Sequence, residues 1–181
     1  MESFKAATFF RLETSDAAGH ILDWINPRPV ENVNSDNNKD GTPTVARDGT
    51  LYFFSDRNAE PGKNSTYVAK LKDVKYQNPV MLPPPVNSGA SDTSPFISPD
   101  GRVLLFYSTR PGGKGSADLY VSYNRHGRWT DAQNLGSMVN SSEEEDNPVV
   151  SPDGKQFFFG RNGNIPFPRS RSLRALIFVN C

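Results

Sequence analysis

The sequence predicts an all-β fold built from repeated antiparallel units, and three observations support this prediction. The chain of 181 residues holds 14 glycines and 15 prolines but only 35% hydrophobic residues, which suits short strands and tight turns better than helices. One hairpin-like stretch recurs three times, and several residue types recur at a spacing of 52 or 53 residues. The length fits one domain with a real core and is too short for two large ones.

The recurring stretch is clearest at residues 94–110, SPFISPDGRVLLFYSTR, and it returns at 42–57 and 147–161. It predicts two short strands joined by a tight turn. In that turn a proline presets φ, an aspartate can bond its own backbone, and a glycine accepts the positive φ. The first copy has Arg47 in place of the proline. The residues assigned to the three turns are Asp48, Gly49, Pro99, Asp100, Gly101, Pro152, Asp153 and Gly154.

The period extends well beyond the hairpin. The tripeptide Val-Asn-Ser occurs at 33–35, 86–88 and 139–141, so its copies lie 53 residues apart. We therefore divide the chain into the outer strands of a partial unit at 1–32, complete units at 33–85 and 86–138, and a partial unit with a divergent tail at 139–181. In the first segment Trp24 lies near the place that Trp129 holds in a complete unit, and after Arg161 the pattern is lost.

Each complete unit is predicted to form four short antiparallel strands. In 86–138 these are SPFIS, RVLLFYS, DLYVSYN and RWTDAQNL. Four-stranded units of about this length are typical of β-propeller blades. The chain holds about three blades, fewer than the usual minimum of about four. We therefore expect either a piece of a longer propeller or one that closes by oligomerisation, with open blade edges that favour self-association.

The motifs also resemble a known family over about residues 30–160. SPDGR and SPDGK followed by alternating aromatics, then STR, ADLYVS, GRW, NLG and VNS, are similar to the TolB-like, WD-repeat-like β-propeller repeat. The resemblance implies a propeller, common in bacterial periplasmic and outer-membrane-associated proteins. Some relatives are hydrolases or lyases acting on carbohydrate or peptide, which is the alternative function. The N-terminal stretch lacks an apolar signal-peptide region, which by itself indicates the cytoplasm.

Composition and charge exclude several other classes of protein. Twenty basic and twenty acidic residues give no net charge, and no basic run is interleaved with aromatics, so nucleic-acid binding is not expected. No stretch approaches the roughly 20 apolar residues that a membrane span needs. The single cysteine, Cys181, allows neither an intramolecular disulfide nor a thiolate metal cluster.

The main candidate site residues are acids and arginines that recur with the repeat. An acid lies three residues before each repeat proline, and an arginine follows each turn glycine by seven to nine residues. A ring of such acids around a central channel could bind a cation or a basic peptide. Alternatively each acid caps a loop or pairs with a repeat arginine, which we favour because a residue present in every unit usually serves the unit. The acids are Asp40, Asp92 and Glu145, and their candidate partners are Arg57, Arg110 and Arg161.

Other chemistry-bearing residues give weaker signals. The acidic run at 141–146 could attract calcium but lacks the spacing of an EF-hand, and His20 and His126 lie in predicted turns without a third ligand. The loop RPGGKGS departs from the phosphate-loop pattern. The repeated aromatics are assigned to packing: Trp24, Trp129, Tyr67 and Tyr120.

No cofactor is therefore predicted, and no nucleophile motif is present. A pair of carboxylates supplied by different blades would leave no local spacing, so glycoside hydrolysis stays open. The sequence favours a non-enzymatic protein-binding or scaffold module whose partner is another protein.

Overall fold

The computed structural model describes residues 9–13, 25–58 and 60–161, and every structural statement below concerns these residues. Their regular secondary structure consists of strands, as predicted. The strands are β1 (Phe10–Glu13), β2 (Ile25–Pro29), β3 (Asp40–Val45), β4 (Leu51–Ser55), β5 (Ser65–Ala69), β6 (Leu71–Lys72), β7 (Lys75–Tyr76), β8 (Val80–Met81), β9 (Asp92–Ile97), β10 (Val103–Ser108), β11 (Asp118–Arg125), β12 (Arg128–Trp129), β13 (Gln133–Asn134), β14 (Glu145–Val150) and β15 (Phe157–Arg161).

The strands form four successive antiparallel sheets. Sheet 1 pairs β1 with β2, and sheet 2 has the order β3-β4-β5-β8. Sheet 3 runs β9-β10-β11, with β12 and β13 both pairing with β11, and sheet 4 pairs β14 with β15. A small hairpin, β6–β7, extends from the end of β5. Sheets 2 and 3 are thus antiparallel meanders four strands wide, consistent with β-propeller blades, and the all-β prediction is confirmed.

The fourth strand of sheet 3 differs from the prediction. Residues 128–135 were expected to form one strand, but they form β12 and β13 with a break between them. The break follows from side-chain hydrogen bonds: the Thr130 hydroxyl accepts from the Tyr123 amide at 3.0 Å, and the Ser122 hydroxyl donates to the Thr130 carbonyl at 2.7 Å. These bonds replace ladder bonds and let β13 resume pairing beside Val121.

The tight turns that join the first two strands of sheets 2, 3 and 4 are built alike. In each, the glycine amide donates to the carbonyl three residues earlier, at 2.8 to 2.9 Å, and φ of the glycine is positive. The turn aspartate accepts from the amide two residues further on, as Asp100 does from Arg102 at 3.1 Å. This is the geometry of a β-turn that ends in the left-handed region.

Replacement of these glycines by alanine should distinguish the backbone strain of a positive φ from a steric clash of the new Cβ atom. Gly101 has φ +72° and open space where a Cβ would lie, so Gly101→Ala should lower the free energy of unfolding by about 1–2 kcal/mol, the cost of the left-handed region. Gly49→Ala should cost more, because its Cβ would lie 2.6 Å from Leu71. Urea denaturation of both variants measures the difference, and equal losses would contradict it.

The first strand of sheets 2, 3 and 4 carries a bulge at the same place. Two residues of that strand, the repeat proline and the residue before it, face one phenylalanine of the partner strand. The residue before the proline has a positive φ in all three sheets, although none is glycine: Thr42 (45°), Ser94 (47°) and Asn147 (47°). The bulge removes the ladder position that the proline could not serve, since proline has no N–H.

The core lies between the sheets rather than in one central mass. Ala46, Tyr52 and Leu82 of sheet 2 pack against Ile97 and Phe106 of sheet 3. Similar clusters join sheet 3 to sheet 4 and sheet 2 to Phe9 and Val30 beside sheet 1. The sheets therefore stack face to face in chain order.

Candidate functional site

The three repeat acids lie at the start of the first strand of their sheets and are buried. The relative exposure is 2% for Asp40 and 0% for Asp92 and Glu145. Each pairs with the arginine of its own sheet: Arg57 Nη2 lies 2.7 Å from Asp40 Oδ1, and Arg110 Nη2 lies 2.8 Å from Asp92 Oδ1. In sheet 4, Arg161 Nε lies 2.8 Å from Glu145 Oε1. The structure thus brings each acid to an arginine within its own unit.

Around Asp92 every carboxylate oxygen has partners. Oδ1 accepts from the Ser108 hydroxyl at 2.6 Å and from Arg110, whereas Oδ2 accepts from the amide and the hydroxyl of Ser88 at 2.6 and 2.8 Å. Arg110 also donates to the Val86 carbonyl at 2.6 Å. Val86 and Ser88 belong to the Val-Asn-Ser tripeptide, so this motif supplies hydrogen-bond partners to both Asp92 and Arg110.

Sheet 4 reaches the same contacts with different residues. Arg161 comes two residues early because it occupies the register position that Ser55 and Ser108 hold opposite the acids of sheets 2 and 3. It therefore donates with Nε directly to Glu145, without an intervening serine, and Nη2 still reaches the Val139 carbonyl at 2.8 Å. The repeat preserves the network rather than the individual residues.

Aromatic rings complete the environment of the arginines. The Arg110 guanidinium lies 5.2 Å from the Phe106 ring centroid and 4.9 Å from that of Tyr120, and these two rings stack. Arg57 is placed in the same way on Phe53 and Tyr67. Such contacts favour the charged guanidinium in a place with little water.

The asparagine of Val-Asn-Ser holds the preceding sheet. Asn87 Oδ1 accepts from the Thr66 amide at 2.8 Å, and Nδ2 donates to the carbonyls of Thr66 and Leu82 at 2.9 and 2.7 Å. Asn140 makes the same pair of bonds to the Leu119 backbone, and Asn34 to that of Phe9. We call this arrangement the amide clamp. It imitates one step of strand pairing and ties each linker to the sheet before it.

Sequence reasoning used Val-Asn-Ser only as a marker of the period and missed the amide clamp. The signal was available, because an amide side chain repeated at a fixed spacing with no exposed role suggests a backbone partner. The serines at 55 and 108 were missed in the same way, although each stands two residues before a repeat arginine.

The weaker candidates lie apart from this network. His126 is exposed in the turn between β11 and β12, with φ of 54°, whereas His20, Trp24 and the tail at 162–181 lie outside the described residues. In the loop RPGGKGS the amides of Lys114 and Gly115 donate to the carboxylate of Asp118. Trp129 packs edge-on against Tyr52, 6.4 Å between centroids, across the seam between sheets 2 and 3.

Within residues 9–13, 25–58 and 60–161, no group of three or more His, Cys, Asp or Glu side chains is arranged to hold a metal ion. The same residues contain no helix that is long and apolar enough to cross a membrane.

Tyr107, at the seam between sheets 3 and 4, should show a distinct pH response. Burial, and next the negative charge of Glu144, raises the pKa of Tyr107 to about 12. Because this pKa lies above the ordinary value of 10.0, the unfolded chain ionises first, and stability should fall as the pH rises from 10 towards 12. Absorbance titration at alkaline pH measures the pKa of Tyr107, and Glu144→Gln should lower this pKa. An unchanged titration midpoint in the variant would contradict the role given to Glu144.

A cavity of about 360 Å³ opens where the first strands of sheets 2, 3 and 4 reach their turns. Its walls are largely apolar, and its edge includes the turn residues Ser151, Pro152, Asp153 and Gly154. Val45, in its wall, is 52% exposed. The cavity is the open feature of this end of the molecule, whereas the acid–arginine network is closed.

Fold and site together define a protein of stacked, blade-like antiparallel sheets held by internal ion pairs. No family model matches the chain, and no curated protein matches it significantly. Among solved structures, it is similar to the crystal structure of TolB from Acinetobacter baumannii, with 19% identity and a TM-score of 0.49. That match covers 76% of this chain and 30% of the TolB chain, so this chain spans less than a third of that protein's length. The similarity at this level adds nothing to the fold described above.

Proposed function

We propose that the chain is a non-enzymatic β-propeller-type module that binds another protein. One observation supports this most directly: the repeated acids and arginines, which a catalytic or cation-binding ring would require, hydrogen-bond to one another inside each sheet. Their carboxylates are buried, so they serve the scaffold. What faces solvent at the turn end is an apolar cavity, and apolar surface of this kind suits a protein partner.

The units at 33–85 and 86–138 are proposed as the repeats of this module, in the TolB-like, WD-repeat-like class that their motifs resemble. The same motifs are the basis for proposing a bacterial envelope setting. Self-association through open strand edges is a second mode of binding that this stacking would allow. Light scattering on the purified chain tests for self-association. A molar mass equal to that of a single chain at all concentrations would exclude it.

The test separates binding from catalysis. The immobilised chain is exposed to an extract of its source cells, and retained proteins are identified by mass spectrometry, with the unfolded chain as control. We expect one protein to be enriched on the folded chain only. In parallel the purified chain is incubated with carbohydrate and peptide mixtures, because the alternative is a propeller hydrolase or lyase. Turnover of either substrate, together with no retained protein, would overturn the proposal.

The repeat acids provide a second check. The triple variant Asp40→Asn, Asp92→Asn, Glu145→Gln should be strongly destabilised, because each neutral side chain faces an arginine that keeps its charge. If the variant instead stays folded and loses partner binding, the acids form a binding ring and not a scaffold.

A further inference from the structure

The seam between sheets 2 and 3 is fastened at its turn end by two hydrogen bonds. The Ile97 amide donates to the Thr44 hydroxyl oxygen at 3.3 Å, across a sequence separation of 53 residues. The Arg47 amide donates to the Pro99 carbonyl at 2.8 Å. In the first bond the residue of sheet 2, Thr44, stands immediately after the repeat proline. In the second bond the residue of sheet 2, Arg47, stands immediately before the Asp-Gly turn.

The seam between sheets 3 and 4 cannot form either bond. The residue after the repeat proline of sheet 3 is Phe96, which has no side-chain acceptor, and the residue before its Asp-Gly turn is Pro99, which has no N–H. Sheet 4 has Val149 and Pro152 at the same two places, so sheet 2, with Thr44 and Arg47, is the unit that differs from the other two. The seam between sheets 3 and 4 therefore lacks both bonds at its turn end. The cavity lies at this position, with Phe96 and Pro99 in its wall.

The unfastened seam exposes a backbone donor. Val150 of sheet 4 is the counterpart of Ile97, since each stands two residues after its repeat proline. The Ser151 amide donates to the Gln156 carbonyl at 2.9 Å, so the adjacent pair, Val150 and Phe157, is a non-hydrogen-bonded pair of the antiparallel ladder. In such a pair the N–H points away from the partner strand. The Val150 N–H therefore points from the edge of β14 towards the side where the cavity lies.

The walls of the cavity define what can fill it. Its volume of about 360 Å³ lies at the lower end of ligand cavities and suits one apolar side chain with its peptide group. The apolar part of the lining consists of Val45, Phe96, Ile97, Val103, Leu105 and Val150, with Pro99 and Pro152 beside the turns. Such a surface favours an aliphatic or aromatic group, and the single donor requires one acceptor.

The apolar walls determine the kind of acceptor. Asp153 at the rim has its own partners, namely the Ser151 hydroxyl, the Lys155 amide and, at 3.7 Å, the Lys155 ammonium, so the rim carries charges of both signs. A free carboxylate with a single N–H as its partner would be costly to bury against apolar walls. A neutral peptide carbonyl is therefore the suitable acceptor.

We propose that the cavity binds one apolar side chain of an extended segment of a partner protein, with a backbone carbonyl of that segment accepting from the Val150 N–H. This rests on the proposed function and specifies the chemistry of the partner. The bound segment would supply at this seam the acceptor that Thr44 supplies at the preceding seam.

The experiment uses N-acetyl-leucinamide as the smallest model of such a segment, titrated into the ¹⁵N-labelled full chain and followed by NMR. We expect a saturable shift of the Val150 amide in the millimolar range, with leucine methyl NOEs to the partly exposed Phe96 ring. N-acetyl-alaninamide lacks the apolar bulk, and N-acetyl-leucine carries a carboxylate, so each should bind at least about tenfold more weakly. No saturable shift, or equal shifts for the three probes, would overturn the proposal.

Variants then test the seam itself. Phe96→Thr places a hydroxyl where sheet 2 has Thr44, so it should fasten the seam and weaken binding of N-acetyl-leucinamide at least about tenfold. Val149→Thr changes an exposed neighbour outside the cavity wall and should leave the binding unchanged. If Phe96→Thr does not fold, the comparison of probes on the unaltered chain still decides. If the chain captures a partner but does not bind N-acetyl-leucinamide, the proposed role of the cavity is refuted and the proposed function stands. If it binds N-acetyl-leucinamide but captures no partner, only the proposed function is refuted.

Discussion

Asp92→Ala is expected to lower the free energy of unfolding by about 3–5 kcal/mol, the range seen when one member of a buried ion pair is removed. The Asp92 side chain has no exposure, and the Arg110 side chain is only 13% exposed. Without the carboxylate, the guanidinium stays largely buried with its charge, and the amide of Ser88 loses its acceptor. A loss of this size is a large share of the stability of an ordinary domain. Urea denaturation followed by circular dichroism measures it.

Two matched variants show whether the ion pair is responsible. Asp100→Ala removes an exposed turn carboxylate and should cost no more than about 1 kcal/mol. The double variant Asp92→Leu, Arg110→Met should recover part of the loss, because no unpaired charge stays buried. If Asp92→Ala and Asp100→Ala are equally stable, the network is not structural. Glu145→Ala should cost less than Asp92→Ala, since the Arg161 side chain is 41% exposed and can reach water.

Asn87→Asp should be comparably damaging, although it changes one NH₂ group into an oxygen. The new carboxylate still accepts from the Thr66 amide. It also places a buried negative charge against the carbonyls of Thr66 and Leu82, which in the unaltered protein accept hydrogen bonds from Asn87 Nδ2. The expected loss is about 3–5 kcal/mol at neutral pH, because a buried charge without a partner costs several kcal/mol. Thermal and urea denaturation measure the change.

Asn87→Ala and Asn78→Asp serve as controls for the amide clamp. The alanine variant removes the clamp without adding charge and should lose about 1–3 kcal/mol, since the Thr66 amide is left without its acceptor. Asn78 lies in an exposed loop, so the same change to aspartate there should be almost neutral. A destabilisation no greater for Asn87→Asp than for Asn78→Asp would rule out the clamp.

The strands and turns could be predicted from the sequence because their signals are local. Alternation of apolar residues and the Asp-Gly pairs lie within a few residues of the structure they specify. The bulge before each repeat proline could not be predicted, because threonine and serine, which hold this place in two of the three copies, rarely adopt a positive φ and nothing nearby requires it. The same holds for the break at Thr130, where side-chain hydrogen bonds compete with the ladder.

The site was harder to predict because its partners lie far apart in the chain. The pairing of Asp92 with Arg110 was one of two interpretations that the spacing allowed, and only burial distinguishes an ion pair from a channel ring. The cavity depends on what Phe96 and Pro99 fail to do at a seam between sheets. No pattern within one unit reveals such an absence, although comparison of the units position by position would have shown that only Thr44 and Arg47 of the first unit can form these bonds.

The amide clamp also sets where the chain can be divided. Each sheet depends on an asparagine that follows it in the sequence, so the smallest self-sufficient piece does not coincide with the repeat as it is written. A fragment that ends at residue 85 would leave the Thr66 amide without its acceptor, whereas one that ends after Ser88 would keep it. A piece that carries sheet 3 needs the same tripeptide, because Ser88 bonds to Asp92 and the Val86 carbonyl accepts from Arg110. Exchanged blades should therefore overlap at Val-Asn-Ser, so that both neighbouring sheets keep a copy of it.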